Sequence, residues 1–545
     1  MIATIPSALP LWHGALLVAP SAVAVLASAL VWRAPTTARA WRRARAASVA
    51  MMAITAVLAI VRASGDARAG ELLRSDTPGV VMLVLVAFIG WVVIRFSTAY
   101  IAGDPFERRY VCRMLATLAA VSLVTVANNL LLITLAWMAT SIAMHGLLTF
   151  FGDRPTALAV AHKKFILARC ADTCMLGAVI ALGTAFDTLR LDRMALSAMA
   201  AGPLPTGARI GVALIALAAI LKCAQLPFHG WLLQVMEAPT PVSALLHAGV
   251  VNLGGFVLLR VAPLVDRAIE TRLMLVAVGT ITAVVAAVVM TTRISVKVAL
   301  AWSTCAQMGF MVMQCGLGLW PMAMLHLLAH SLYKAHAFLG AGGAVRQTQR
   351  RQLGAAVAPS NLTSVAASTA VAIGAVGAVV AGWTLLPSTH APTATLWVVI
   401  AIVALAMVPL THGRSDRHAR AVRLPLAAMT ITATYLALHV LFEQMVPSGR
   451  DAPIVALVIV AIGFTTLFAF HALRLIAPDH RVLARLRPWV YGAFFIDEVF
   501  TRVVFLLWGP PAAQWRPEAL PSPRSTAIVA GAISVTEQPP VTAGS

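Results

Sequence analysis

Lys222 stands in an apolar stretch cut short at Pro227, while His326, His330 and Lys334 stand four residues apart in another. Amines and imidazoles can take up and release protons. An ionisable residue kept beside a broken membrane-spanning helix is costly and by default marks a functional site. On a helix the two imidazoles and the amine at i, i+4 and i+8 share one face, with neighbours roughly 6 Å apart. Stacked within a membrane, they read as a hydrogen-bonded or water-bridged wire. The plainer alternative is three separately satisfied polar residues, or a lysine extending its amine to the interface.

The lysine inventory points the same way. Of 41 basic residues, 36 are arginine and five are lysine: Lys163, Lys164, Lys222, Lys297 and Lys334. All lie in or beside apolar stretches, and none belongs to a loop arginine cluster. Arginine keeps its proton at any relevant pH, whereas a buried lysine can give one up, which suits a relay. Arg169 and Asp172, three apart, share a helix face and neutralise each other; they either anchor the helix end or tune a nearby lysine. After Pro227 come Glu237, Pro239 and Pro241, then an apolar helix with His247 about one and a half turns inside. Glu237 faces a partner, loads the path or caps the break. Lys297, opening a later helix with Arg293, is a further coupling candidate. Asp497, Glu498 and Arg502 mark a final amphipathic segment, and His439 and Glu443 end another helix.

The elements that hold these residues are membrane helices. Sixty per cent of the chain is hydrophobic and 11% charged, and roughly sixteen apolar runs are each long enough to cross a hydrocarbon core of about 30 Å. The fold expected is an all-α integral membrane bundle of about 14–16 transmembrane helices, some discontinuous. A net charge of +21 does not indicate nucleic acid, because the arginines cluster in alternate loops, as in Arg39–Arg45, Arg108–Arg113, Arg346–Arg351 and Arg481–Arg487. That alternation places the N-terminus outside and the basic loops in the cytoplasm; the membrane expected is a bacterial inner membrane. No cleavable signal peptide is read at the N-terminus. The six cysteines form no CxxC pair and read as small buried hydrophobes, and no His/Cys/carboxylate triad has metal-ligand spacing. Scaffold helices are expected over 1–109, an ion-translocating core over 110–345, further helices over 346–509, and a tail over 510–545 without periodicity.

The stretch Met236-Glu-Ala-Pro-Thr-Pro-Val-Ser-Ala-Leu-Leu-His-Ala248 resembles the signature of antiporter-like membrane subunits. These include the large proton-pumping subunit of respiratory NADH–quinone oxidoreductase and the large subunits of Mrp-type sodium/proton antiporters. Leu300-Ala-Trp-Ser-Thr304, Gln307-Met-Gly309, the His326–His330–Lys334 stripe and Phe494-Phe-Ile-Asp-Glu498 are similar too. The resemblance implies a discontinuous seventh helix with Lys222 as its central proton carrier. It also implies Lys163 as the lysine following the acidic fifth helix, Arg169 and Asp172 as a supporting pair, and His247, His326, His330 and Lys334 as the connecting axis, with Lys163 and Asp172 expected to tune the protonation of Lys222. Departures from the pattern are Met138 in place of a glutamate after Trp137, Asn128 in place of an aspartate, and no charged residue between Gln352 and Thr411.

With Gly249, Asn252 and Gly255 following, the central motif looks most like the membrane subunit of DAB-type inorganic-carbon pumps. That likeness implies a large cytoplasmic partner resembling a zinc-dependent β-carbonic anhydrase, with the zinc in the partner and no cofactor in this chain. Cation flow, H⁺ or Na⁺, would then drive hydration of CO2 to bicarbonate, so the chain itself is a transporter subunit and not an enzyme. The alternatives are a proton-translocating subunit of a redox or Mrp complex, and a membrane anchor that no longer conducts.

Overall fold

Among the described residues of the computed structural model, 12 helices are long and apolar enough to cross a membrane. The structure describes residues 7–508 except 66, 152–154, 201, 236–237, 344–360, 386–392 and 408–416, so Glu237 and the expected tail lie outside it. The first half comprises α1 (Leu11–Trp32), α2 (Thr37–Ala63), α3 (Thr77–Tyr100), α4 (Glu107–Val126), α5 (Leu130–Leu148) and α6 (Pro155–Phe186). Next come α7 (Leu191–Ala200), α8 (Thr206–Lys222), α9 (Gly230–Gln234), α10 (Thr240–Ala248), α11 (Leu253–Arg260) and α12 (Ala262–Val265). The hairpin α13 (Ile269–Met290) and α14 (Val296–Leu317) leads into α15 (Trp320–Leu339). The chain continues with α16 (Leu362–Thr384), α17 (Ala394–Met407), α18 (Arg417–Met445), α19 (Ile454–Ile476), α20 (Arg481–Tyr491) and α21 (Ile496–Trp508). α8 and the polar-striped α15 are not among the 12, since one stops at its break and the other carries His326, His330, Lys334 and His336. The protein is an all-α, multi-pass membrane bundle with discontinuous helices.

Local chemistry sets the helix starts. Asp76 accepts from Gly79 N at 3.2 Å and Asn129 from Leu131 N at 3.0 Å, capping α3 and α5. α13 and α14 pack through glycines: a Cβ on Gly279 would lie 2.6 Å from Gly309 O, and one on Gly309 2.6 Å from Ala283 N. One continuous apolar core runs from α1 to α15 and takes in Phe442 of α18 and Val490 of α20, while smaller clusters pack α16 to α19 on one another and on α13 to α15.

At the bundle end away from the arginine-rich loops, polar ties close the helix tips. Three two-residue strands, β1 (Ser7–Ala8), β2 (Arg68–Ala69) and β3 (Arg74–Ser75), form a small sheet there, parallel then antiparallel. Arg260 pairs with Asp76 at 2.7 Å and donates to Ala127 O. Burial opposes charge on Asp76, but Arg260 and Arg74 outweigh it and hold the carboxyl below its ordinary range. Asn128, where the family pattern has an aspartate, donates from Nδ2 to Asp192 Oδ1 at 2.7 Å and to Gly70 O at 2.8 Å. An ionised aspartate has no hydrogen to donate, so Asn128 can make both bonds, with Asp192 as the carboxylate of the cluster.

Candidate functional site

α8 ends at Lys222 itself, and the chain runs through a non-helical turn, residues 223–229, before α9 restarts. A second break follows at residues 249–252, between α10 and α11, one residue beyond the turn that carries His247. The sequence shows the first break through Pro227; the second has no proline. The two breaks lie close together. A Cβ on Gly254 of α11 would come within 2.5 Å of Cys223 Sγ, and Cys223 donates to Val251 O at 3.3 Å.

Lys222 points into the protein. It is 5% exposed, donates to Ser141 Oγ at 2.7 Å and lies 4.5 Å from the centroid of Trp137. Trp137 and Ser141 are one turn apart on α5, so a single helix face supplies a cation–π surface and an acceptor. The second amine at this point is Lys164, which donates to Ser141 O at 2.8 Å and is 4% exposed. Two side-chain amines from α6 and α8 thus converge on the hydroxyl and carbonyl of one serine. Asp172, 3% exposed, pairs with Arg169 at 2.7 Å and is within electrostatic reach of both Lys222 and Lys164. Met138 is half-buried, and the carboxylate that Lys222 senses is that of Asp172.

Lys163 is elsewhere. It is expected from the sequence to tune Lys222, but its Nζ donates to Asp497 Oδ2 at 2.9 Å, Thr501 Oγ1 at 2.7 Å and Gln234 Oε1 at 3.1 Å. Adjacent residues on a helix point about 100° apart, so only one of the pair can face Ser141. Lys297 likewise lies off the line, donating to Thr240 Oγ1 at 2.8 Å at the start of α10.

The histidine stripe forms on α15 as the spacing predicts. The His326 and His330 rings stack with centroids 5.8 Å apart, and His247 stacks on Phe338 of the same helix at 4.4 Å. His330 lies against the His247 main chain. Lys334 donates to Leu300 O at 3.1 Å and to Ser303 Oγ, so α14 fixes the far end of the stripe. Both ring nitrogens of His247, Nε2 of His326 and His330, and Oδ1 of Asn252 have no protein hydrogen-bond partner among the described residues. Buried polar atoms of this kind are satisfied by water or cost about 1–3 kcal/mol each. A cavity of about 930 Å³ reaches the stripe, lined by Arg293, Ser303, Gln307, His326, His330 and Lys334. Its wall includes Ile294 and Gly340, at the ends of α13 and α15 on the arginine-rich face. The arrangement can carry protons between titratable groups and admits water to one end of the row. Ser141, Lys164 and Asp497 are the contributors that the sequence reading left unassigned; the four-residue step from Trp137 to Ser141 is the one local signal that pointed to the first.

Comparison with known proteins gives the family and the fold. The family profile described as "NADH:quinone oxidoreductase/Mrp antiporter, TM" matches residues 127–418, and a complex I chain 5 N-terminus profile matches 65–111. The chain is 49% identical over 292 residues to the probable inorganic carbon transporter subunit DabB of Hydrogenovibrio crunogenus, covering 53% of this chain and 56% of that one. It is 35% identical over 441 residues to the probable inorganic carbon transporter subunit DabB2 of Halothiobacillus neapolitanus, covering 78% and 79% of the two. The fold matches a chain of the Mrp complex of Dietzia sp. with TM-score 0.61 at 23% identity, over 97% of this chain and 64% of that one.

Proposed function

The chain belongs to the NADH:quinone oxidoreductase/Mrp antiporter membrane family, and from that premise we propose that it is the cation-conducting membrane subunit of an inorganic-carbon uptake complex. One observation carries the reading: two clusters of largely buried titratable groups, Lys222 with Lys164 and Asp172, and His247 with His330, His326 and Lys334, lie inside the helix bundle, and a cavity reaches the second. A proton arriving at the Lys222–Lys164 pair is held by Ser141 and Trp137 and balanced by Asp172. It passes by way of the two helix breaks to His247, then to His330 and His326, and leaves past Lys334 into the cavity, or takes the reverse course. In a low-dielectric interior, moving one positive charge shifts the proton occupancy of its neighbours.

The arginine-rich loops face the cytoplasm of a bacterial cell, following the positive-inside rule. On that face the subunit meets a soluble partner that resembles a carbonic anhydrase. Zinc held by that partner, not by this chain, would supply the Lewis acidity for CO2 hydration. Ion flow down its gradient makes that hydration run one way. The likeness to subunits named as inorganic carbon transporters supports this substrate. A second reading, a proton-translocating subunit of a redox or Mrp-type complex, is favoured by the breadth of the family match.

The test is growth in air of a carbonic-anhydrase-deficient host that expresses the chain together with its soluble partner. Growth should be restored, lost with an uncoupler, and lost again in Lys222→Ala while the complex still assembles. Full growth of Lys222→Ala would refute the relay and leave a non-conducting anchor. Dependence on quinone or NADH would favour the redox reading.

A further inference from the structure

Asp497 is 263 residues from Gln234 in sequence, yet it is wedged into the helix break. Its carboxylate accepts from Lys163 Nζ at 2.9 and 3.0 Å and from Gln234 Nε2 at 3.1 Å. Gln234 Oε1 in turn accepts from Lys163 at 3.1 Å, so α6, α9 and α21 close a triangle of charge-assisted bonds. The fit depends on a glycine: a Cβ on Gly230 would lie 1.5 Å from Asp497 Oδ1. Further along α21, Phe500 meets Phe228 edge-on at 5.9 Å and Trp508 stacks on His162 at 3.9 Å, so the segment rests on the break and on α6.

The backbone leading to it is unusual. Ala493, Phe494 and Phe495 have φ of 52°, 56° and 57°, a left-handed turn made of three residues that carry side chains. L-residues seldom adopt this conformation, and it persists where surrounding contacts hold it. The turn delivers the start of α21 to Lys163.

We propose that Asp497 is a positioning residue for ion transfer: by pairing with Lys163 and holding Gln234, it locks α6 against the broken helix so that the neighbouring Lys164 meets Lys222 on Ser141. The two adjacent lysines divide the work. Lys163 is the peg and Lys164 faces the site. This role rests on the conducting function proposed above, and the experiment separates the two.

Complexes purified with the partner and reconstituted in proteoliposomes are assayed for proton flux with an entrapped pH dye, alongside membrane abundance and partner retention. Asp497→Asn should lower flux by about tenfold or more, since it leaves the Lys163 charge unpaired. Gly230→Ala should lower it similarly while keeping both charges, because the methyl group occupies the carboxylate's place. The exchange Lys163→Asp with Asp497→Lys should return flux to within about threefold of the parent, a rescue that general loss of packing does not give. Flux of Asp497→Asn within about twofold of the parent overturns the proposal, as does an exchange no better than Asp497→Asn. Absence of Asp497→Asn from the membrane also overturns it, making the residue a folding determinant. If Lys222→Ala conducts like the parent, the functional reading falls and this role with it. If Lys222→Ala is silent and Asp497→Asn is not, only the positioning role fails.

Discussion

Replacing Ser141 by alanine removes one oxygen from the point where two amines meet. Lys222 loses its acceptor at 2.7 Å, whereas Lys164 keeps the Ser141 carbonyl at 2.8 Å. A hydrogen bond to a charged group contributes about 1.5–3 kcal/mol, so the charged state of the relay should become about 10- to 150-fold harder to populate. The Trp137 face, 4.5 Å from Nζ, remains and keeps part of the stabilisation. Ser141→Ala should therefore conduct measurably, well above Lys222→Ala. Ser141→Thr, which retains a hydroxyl on the same face of α5, should fall between Ser141→Ala and the parent. The assay is dye-monitored proton flux into proteoliposomes holding the reconstituted complex, normalised to protein incorporated. Parent-like flux in Ser141→Ala, with Lys222→Ala silent, would refute the claim that this serine is the meeting point. So would Ser141→Thr no better than Ser141→Ala.

Two further outcomes concern the opposite face. Asn128→Asp replaces a donor to Asp192 and to Gly70 O by a second carboxylate. It should destabilise the protein by about 2–4 kcal/mol, read as a lower melting temperature, and Asp192→Asn in the same chain should recover part of the loss. Asp266, in the turn between α12 and α13, is pushed up to about 6 by burial, although Trp320 Nε1 donates to it and Arg272 lies nearby. Its unfolded value lies near 4, so between about pH 4 and pH 6 the folded state holds a proton that the unfolded state has released. Stability should fall as pH rises through that window, by up to about 3 kcal/mol, and stay lower above it. Asp266→Asn should flatten this dependence and raise the melting temperature at pH 7.5 relative to the parent. An unchanged melting profile between pH 4.5 and pH 7.5 in both proteins would contradict it.

The sequence by itself determined the solvent and the secondary structure of this protein. A run of some twenty apolar residues has few alternatives to a helix across a bilayer, because its backbone must satisfy its own hydrogen bonds there. Helical period alone put His326, His330 and Lys334 on one face and brought Arg169 to Asp172, since these are contacts within a turn or two. The break after Lys222 was visible because proline cannot continue a helix. The tertiary structure decided everything that depends on rotation between helices. Lys163 and Lys164 are the same residue type side by side, and only the packing of α6 on α5, α9 and α21 sends one amine to Asp497 and the other to Ser141. The second break at 249–252, the pairing of Asn128 with Asp192, and the role of Gly230 were equally hidden. Each comes from which atoms of distant segments come within 3–4 Å of each other. A one-dimensional pattern records the period of a helix, but not the angle at which its neighbours meet it.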